Sequence, residues 1–215
     1  MKKDDTITEK KTGLPVQQMK VKLTFFEEVL GTASNNPEIH DDYIASKAPD
    51  APSRKEEVAA LGTGDAIEKA MTVFPQLDDG TPFVWDYQIK GFFKDTCSAL
   101  RKVKGSVSSK ISAFKKEIDG HVFIDERKIP FQNYKRIGEC QRPLRGNTPQ
   151  GERIALAHSE TVPADTFIIF TVTCYYSEKC DLMKAVKEWL DFGFRRGLGQ
   201  WRNSGKGRFE WEEIK

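Results

Sequence analysis

The sequence predicts an α+β fold in which one antiparallel sheet packs two helices on a single face, with the element order βαββαβ. Thr166–Tyr176 is the strongest strand pattern, because it is rich in β-branched and aromatic residues. Two segments place apolar residues at helical spacing, one around Phe92 and Phe93 and one around Trp189 and Leu190. Strand patterns flank both helices, which is the order of a ferredoxin-like or RRM-like sandwich with long insertions.

The predicted domain organisation is a flexible tail followed by one domain. Residues 1–18 are polar and form the tail, so the domain is expected to span 19–215. Its first strand is predicted at Met19–Gly31, where apolar residues alternate. A polar, proline-containing stretch follows, and residues 32–83 are interpreted as an insertion.

Helix signals inside the insertion come from two capping-box patterns. Ser53 with Glu56 predicts one short helix, and Asp65 with Glu68 predicts a second that ends before Pro75. Both helices would add to the two long helices of the domain.

The remaining helix and strand signals follow in the order that the fold requires. Apolar residues repeat at helical spacing from Ile89 to Val103, and Gly105 ends that helix. Asp181 is positioned to cap the last helix. Further strands are predicted in GHVFIDERKIPF, which turns at DERK, in RIALAHSE and in the final GRFEWEEI.

Charge and residue composition limit the classes of function that the sequence supports. The net charge is only +2, so any nucleic-acid footprint must be local. The four cysteines show no CxxC spacing and there are three histidines, so neither a zinc site nor a cofactor is predicted. No signal-peptide or membrane-spanning pattern is present, which favours a cytoplasmic protein without a membrane partner.

A glycine-rich basic segment, RRGLGQWRNSGKGRF, joins the last predicted helix to the last strand. Four glycines and five basic residues surround one tryptophan in it. Such glycines let backbone approach a phosphate or another chain, and they also serve turns that need positive φ; both interpretations stay open. A P-loop is excluded, because five residues instead of four separate Gly199 from Gly205 and a strand follows.

Two further basic groups are candidates for phosphate contact. The segment RPLRGNTPQGER is interpreted as a second basic loop, in which Arg142 and Arg145 could form bidentate hydrogen bonds with phosphate. Lys90, Lys94 and Arg101 are separated by four and seven residues and therefore share one helix face. Solvated surface charge is the alternative interpretation for both groups.

Three stretches of the sequence are similar to motifs of one protein family. They are FVWDYQIKGFFKDTCSALR, HSETVPADTFIIFTVTCY and GLGQWRNSGKGRFEW. The first resembles that family's entry to its first helix, the second its central strand with the preceding acidic residue and Val-Pro, and the third its C-terminal glycine-rich loop. In this order they resemble the RAMP superfamily, the RNA-binding subunits of CRISPR effector complexes and their repeat-processing nucleases.

The resemblance implies that the glycine-rich segment lies beside RNA backbone or a neighbouring subunit. In that setting, glycines permit close approach, basic side chains bind phosphates, and Trp201 stacks on a base, which contributes about 1–3 kcal/mol. The RNA-contact residues expected from this segment are Arg195, Arg196, Gly197, Gly199, Trp201, Arg202, Gly205, Lys206, Gly207 and Arg208.

The resemblance favours a non-catalytic RNA-binding or assembly subunit of a CRISPR-type ribonucleoprotein in antiviral defence, with single-stranded or guide RNA and other subunits as partners. One alternative is a metal-independent endoribonuclease, for which His40 is the candidate base, followed by His121 and His158. Another is a protein of a mobile element that docks on or inhibits a CRISPR-type complex, which the near-neutral charge favours.

Overall fold

The computed structural model describes residues 6–8, 12–34, 71–148, 151–176 and 180–215, and for 6–8, 144–148 and 151–156 it describes the backbone alone. The strands are β1 (Thr6–Thr8), β2 (Pro15–Phe25), β3 (Val29–Leu30), β4 (Ala33–Ser34), β5 (Met71–Val73), β6 (Phe83–Trp85), β7 (Val122–Ile124), β8 (Lys128–Pro130), β9 (Gly138–Thr148), β10 (Gly151–Val162), β11 (Phe167–Tyr175) and β12 (Phe209–Ile214). The helices are α1 (Asp86–Leu100), α2 (Phe114–His121) and α3 (Leu182–Arg196), with 3₁₀ turns at Ser108–Lys110 and Arg202–Ser204.

The main sheet has the strand order β7-β11-β2-β12, and all of these pairs are antiparallel. With α1 between β2 and β7 and α3 between β11 and β12, this is the βαββαβ arrangement of a ferredoxin-like fold. The short β1 also pairs with β2. The predicted fold class is therefore confirmed.

The core lies between this sheet and its helices. In β2, Val21 and Leu23 are buried while Lys20 between the strand's apolar positions is exposed, which follows from the two-residue period of a strand. Val21 lies opposite Phe170 of β11. Trp189 of α3 is fully buried in the same core cluster, and burial of each large apolar side chain contributes about 1.5–3 kcal/mol.

A second sheet continues from the ends of the two central strands. Its order is β3-β10-β5-β4, and β9 pairs with β10. The antiparallel β9–β10 hairpin runs from the pair Gly138–Thr161 to the pair Thr148–Gly151. A third, two-stranded sheet joins β6 to β8.

Some element boundaries differ from the sequence expectation. The first long strand begins at Pro15, within the predicted tail, and its continuation is broken at 26–28 before β3. Met71–Val73, predicted as the end of a helix, forms β5 because it pairs in parallel with β10 and buries Val73. The helix predicted from Ser53 and the start of the one from Asp65 lie outside the described residues.

The predicted second basic loop is also different, since most of it forms the β9–β10 hairpin. Arg142 lies opposite Ala157, and Arg145 lies opposite Ile154. Pairing between the two strands of the hairpin therefore outweighs the glycine and proline signals that suggest a loop. Within the part of the chain that the structure describes, no helix is long and apolar enough to cross a membrane.

Candidate nucleic-acid interface

A groove of about 320 Å³ lies where α1, β3 and the glycine-rich segment meet. We call residues 197–208 the glycine loop. Apolar side chains, including Phe74 and Val84, form part of the groove. Its other lining residues include three from α1 and three from the glycine loop: Tyr87, Gln88, Gly91, Leu198, Gly199 and Arg202. Apolar side chains and a few polar ones thus line the groove together, which is the usual composition of a ligand site.

Three glycines of the loop are required by its own packing. A Cβ added at Gly207 would overlap the carbonyl oxygen of Leu198, and one at Gly197 would overlap that of Lys206. A Cβ at Gly199 would lie 2.9 Å from the carbonyl oxygen of Leu30. The amide of Gly207 donates to the carbonyl of Glu28 at 2.8 Å. These glycines bring backbone close to backbone within the chain, which gives them a folding role.

Gly91 is different, because nothing in the fold explains it. It lies in the interior of α1, is exposed, and an added Cβ would have no neighbour within 4 Å. Glycine at such a position costs about 0.8–1 kcal/mol relative to alanine. Since Gly91 lines the groove, its effect is to leave the wall of the groove bare.

Three cations in or next to the glycine loop form ion pairs. Asp95 of α1 accepts from Arg196 Nε at 2.7 Å and from Arg202 Nη1 at 2.9 Å. Lys206 Nζ donates to Glu28 at 2.6 Å. Burial alone would raise the pKa of Asp95, but the hydrogen bond from Arg196 and the charges of Arg202 and Arg196 lower it overall. The hydrogen bond to Glu28 raises the pKa of Lys206.

The Asp95 ion pairs predict a pH-dependent stability difference. Because the pKa of folded Asp95 is below its usual value, its contribution is present above that value and is lost as the pH falls through the folded pKa. We expect Asp95→Asn to lower the free energy of unfolding by about 1 kcal/mol at neutral pH. The difference from wild type should shrink below about pH 4.

Urea unfolding of both proteins between about pH 3 and about pH 7 measures this difference. Glu212→Gln is the control, since the Lys22–Glu212 ion pair leaves the glutamate side chain 58% exposed and should contribute about 0–1 kcal/mol. A difference between wild type and Asp95→Asn that does not change with pH would contradict the assignment.

Trp201 and Arg142 bring the glycine loop and the β9–β10 hairpin together. Arg142 Nη2 donates to Gln200 Oε1 at 2.8 Å, and its guanidinium lies 5.3 Å from the centre of the Trp201 ring. Trp201 is 39% exposed and has a φ of +54°, a left-handed conformation that is unfavourable for tryptophan. Among the described residues, Arg142 Nη1 and Arg208 Nε are buried without a hydrogen-bond partner.

The other predicted RNA-contact residues do not line the groove, or have a side chain that the structure does not describe. Lys90 lies 4.7 Å from the Phe123 ring and Lys94 pairs with Asp119, so both side chains contact β7 or α2. Arg101 lies beside Phe114 of α2. Arg195 is exposed at the end of α3, and Gly205 contacts Arg208. The side chain of Arg145 is not described.

Of the three candidate catalytic histidines, the two that the structure describes, His121 and His158, do not line the groove. His40 lies outside the described residues. His121 Nδ1 lies 3.3 Å from Glu117 on α2. His158 Nδ1 is 2.9 Å from Glu139 on the hairpin, and the hydrogen bond from His158 lowers the pKa of Glu139. The described residues contain no cluster of three or more His, Cys, Asp or Glu side chains that could hold a metal ion.

Sequence reasoning missed the α1 side of the groove. Tyr87 and Gln88 lie in the first turn of the helix, and nothing in the helical period distinguishes them from ordinary surface residues. The available signal was Gly91, since a glycine inside an apolar helical pattern often has a packing or functional reason. Asp95 gave no signal, because its two arginines are distant in sequence.

No family model matches the chain, and no curated protein matches it. A search of solved structures finds a chain of the "Cryo-EM structure of the Type III-B Cmr-beta bound to cognate target RNA". That chain is 15% identical, with a TM-score of 0.47, over 93% of this chain. The protein described here spans 59% of the length of that chain.

Proposed function

We propose that the protein binds single-stranded RNA in the groove between α1 and the glycine loop, as a non-catalytic subunit of a CRISPR-type ribonucleoprotein. The observation that supports this best is a group of side chains at the glycine loop. Arg202 lines the groove, and its sequence neighbour Trp201 holds an exposed ring 5.3 Å from the guanidinium of Arg142, which comes from the distant β9–β10 hairpin.

An exposed aromatic ring beside arginine side chains has the chemistry that binding of single-stranded nucleic acid requires. Bases stack on exposed aromatic rings without strong sequence preference, and arginines bind the backbone phosphates. The positive charge is local, which agrees with a net charge of only +2 for the whole chain.

Gly91 also supports RNA binding in the groove. An exposed glycine inside a helix lowers helix stability, and the space beside it is empty of protein within 4 Å. An RNA strand that lies along α1 explains the bare surface, because a side chain at position 91 would occupy the path of the sugar–phosphate backbone. Lys90, Lys94 and Arg101 have no part in this proposal, since their side chains contact Phe123, Asp119 and Phe114 of β7 and α2.

The test compares two matched glycine variants, Gly91→Gln and Gly120→Gln. Gly120 of α2 is also exposed, helical and without a neighbour within 4 Å of an added Cβ. We expect both changes to stabilise the fold by about 0.5 kcal/mol, because glutamine is the better helix former. Only Gly91→Gln should weaken RNA binding, by about tenfold or more, which corresponds to about 1.4 kcal/mol.

Binding is measured by fluorescence anisotropy with labelled single-stranded RNA, and stability by urea unfolding. A denaturing gel of the same samples shows whether the RNA stays intact. Equal RNA affinity of the two variants, or no binding by the wild-type protein, would exclude the groove as the RNA site. Cleaved RNA would contradict a binding subunit and would make His40 the first residue to replace, followed by His121 and His158.

A further inference from the structure

Tyr87 lies about two helical turns before Asp95, the α1 residue that pairs with Arg202 of the glycine loop. It lies in the first turn of α1, lines the groove and is half-buried. Its ring stacks nearly parallel to that of Trp85, with an interplanar angle of 12° and centroids 6.3 Å apart. Trp85 is only 2% exposed, so the Tyr87 ring has a rigid aromatic backing.

Arg127 completes this aromatic cluster. Its guanidinium lies 4.8 Å from the centre of the Trp85 ring and 5.7 Å from that of Tyr87. It is fixed by an ion pair from Nη1 to Asp86 at 2.5 Å, and its own carbonyl accepts from the Asp86 amide at 3.2 Å. A cation is therefore held beside two aromatic rings at the start of α1, a favourable arrangement in itself.

The hydrogen bonds of Gln88 keep this end of the helix in place. Its side-chain oxygen accepts from the Trp85 amide at 2.8 Å, and its Nε2 donates to Thr32 at 2.5 Å. The start of α1 and the aromatic cluster are thus connected to the short link between β3 and β4, which contains Thr32.

We infer that Tyr87 and Arg127 form a second base-stacking site, so that one RNA strand contacts Tyr87 at one end of the groove, passes Gly91 and reaches Trp201 at the other. This inference rests on the proposed function and makes it more specific. Tyr87 would stack a base, as Trp201 does, and Arg127 would lie beside that base or its phosphate. The ligand is then single-stranded RNA long enough to reach both rings.

The test uses a length series of fluorescein-labelled oligoadenylates, from the dinucleotide upwards, with wild type, Tyr87→Ala and Tyr87→Phe. Wild-type affinity should rise with length until both rings are occupied. Tyr87→Ala should bind the shortest oligonucleotides as wild type does and should lose about 5- to 150-fold with the longest ones. Tyr87→Phe keeps the ring and should stay close to wild type at every length.

A second measurement does not depend on the folding of Tyr87→Ala. With 2-aminopurine placed at successive positions of a long oligoadenylate, wild-type protein should change the fluorescence at two separate positions, and Trp201→Ala should remove one of them. A response at one position only, or equal binding by Tyr87→Ala and wild type at all lengths, overturns this inference alone. Absence of binding to every oligonucleotide by wild type overturns the proposed function as well.

Discussion

Replacement of Gly207 by alanine is expected to lower the free energy of unfolding by about 3 kcal/mol. The backbone at Gly207 has a φ of +69°, and an added Cβ would overlap the carbonyl oxygen of Leu198. The left-handed conformation alone costs an L-residue about 1–2 kcal/mol. Moving Leu198 away would also break the hydrogen bond from its amide to the Gly207 carbonyl, which is 2.8 Å long.

Gly80→Ala is the matched control for Gly207→Ala. Gly80 also has a positive φ, +81°, but nothing lies within 4 Å of an added Cβ. It should therefore lose only the conformational cost, about 1 kcal/mol. Urea unfolding of the two variants separates conformational cost from steric overlap, and equal losses would show that the glycine loop is not packed against itself as described.

The Gly207 variant also bears on the groove. Leu198, Gly199 and Arg202 line the groove, and the loop that presents them is held to Glu28 through the Gly207 amide. A loop displaced by the alanine would change the groove as well as the stability. For this reason the RNA-binding test uses Gly91, where the change adds atoms without disturbing the loop.

Much of the fold could be predicted because its central elements have complete periodic patterns. The apolar residues of β11 and α3 repeat at strand and helix spacing, and Asp181 caps α3 by accepting from the Lys184 amide at 2.9 Å. The short β5 could not be predicted in the same way, because three residues give no period. Its strand conformation comes from pairing with β10, which lies more than eighty positions away in the sequence.

The candidate site was predicted in part. The sequence indicated the basic glycine loop and Arg142, and the structure places Arg142 beside Trp201. The sequence could not indicate that Asp95 pairs with two arginines or that Glu28 pairs with Lys206. Those pairings join residues that are about 100 or more positions apart, and a carboxylate on a helix surface looks the same in sequence whether or not an arginine reaches it.

Replacement of Glu188 is the second change for which we expect a large loss of stability. In the sequence, Glu188 also resembles a solvated charge on a helix. Its carboxylate accepts from the Val107 amide at 2.6 Å, the Ser108 amide at 3.0 Å and the Ser108 hydroxyl at 2.6 Å. The Ser108 side-chain oxygen in turn accepts from Nε1 of the buried Trp189 at 2.8 Å. This network attaches the segment after α1 to α3.

We expect Glu188→Ala to lower the free energy of unfolding by about 2–4 kcal/mol, because hydrogen bonds to a charged group contribute about 1.5–3 kcal/mol each and the amide donors would lose their acceptor. Glu213→Ala is the control, since its ion pair with Lys187 leaves the two side chains 51% and 45% exposed. That pair should contribute less than about 1 kcal/mol.

Urea unfolding of the two glutamate variants distinguishes a structural carboxylate from a solvated one. A loss for Glu188→Ala no larger than that for Glu213→Ala would mean that water replaces the carboxylate at Val107 and Ser108. A large loss would show that α1 and α3 are held together at the end of α1 remote from Tyr87 and Gln88. The rigidity of α1 as a wall of the groove would then depend on a residue that does not line the groove.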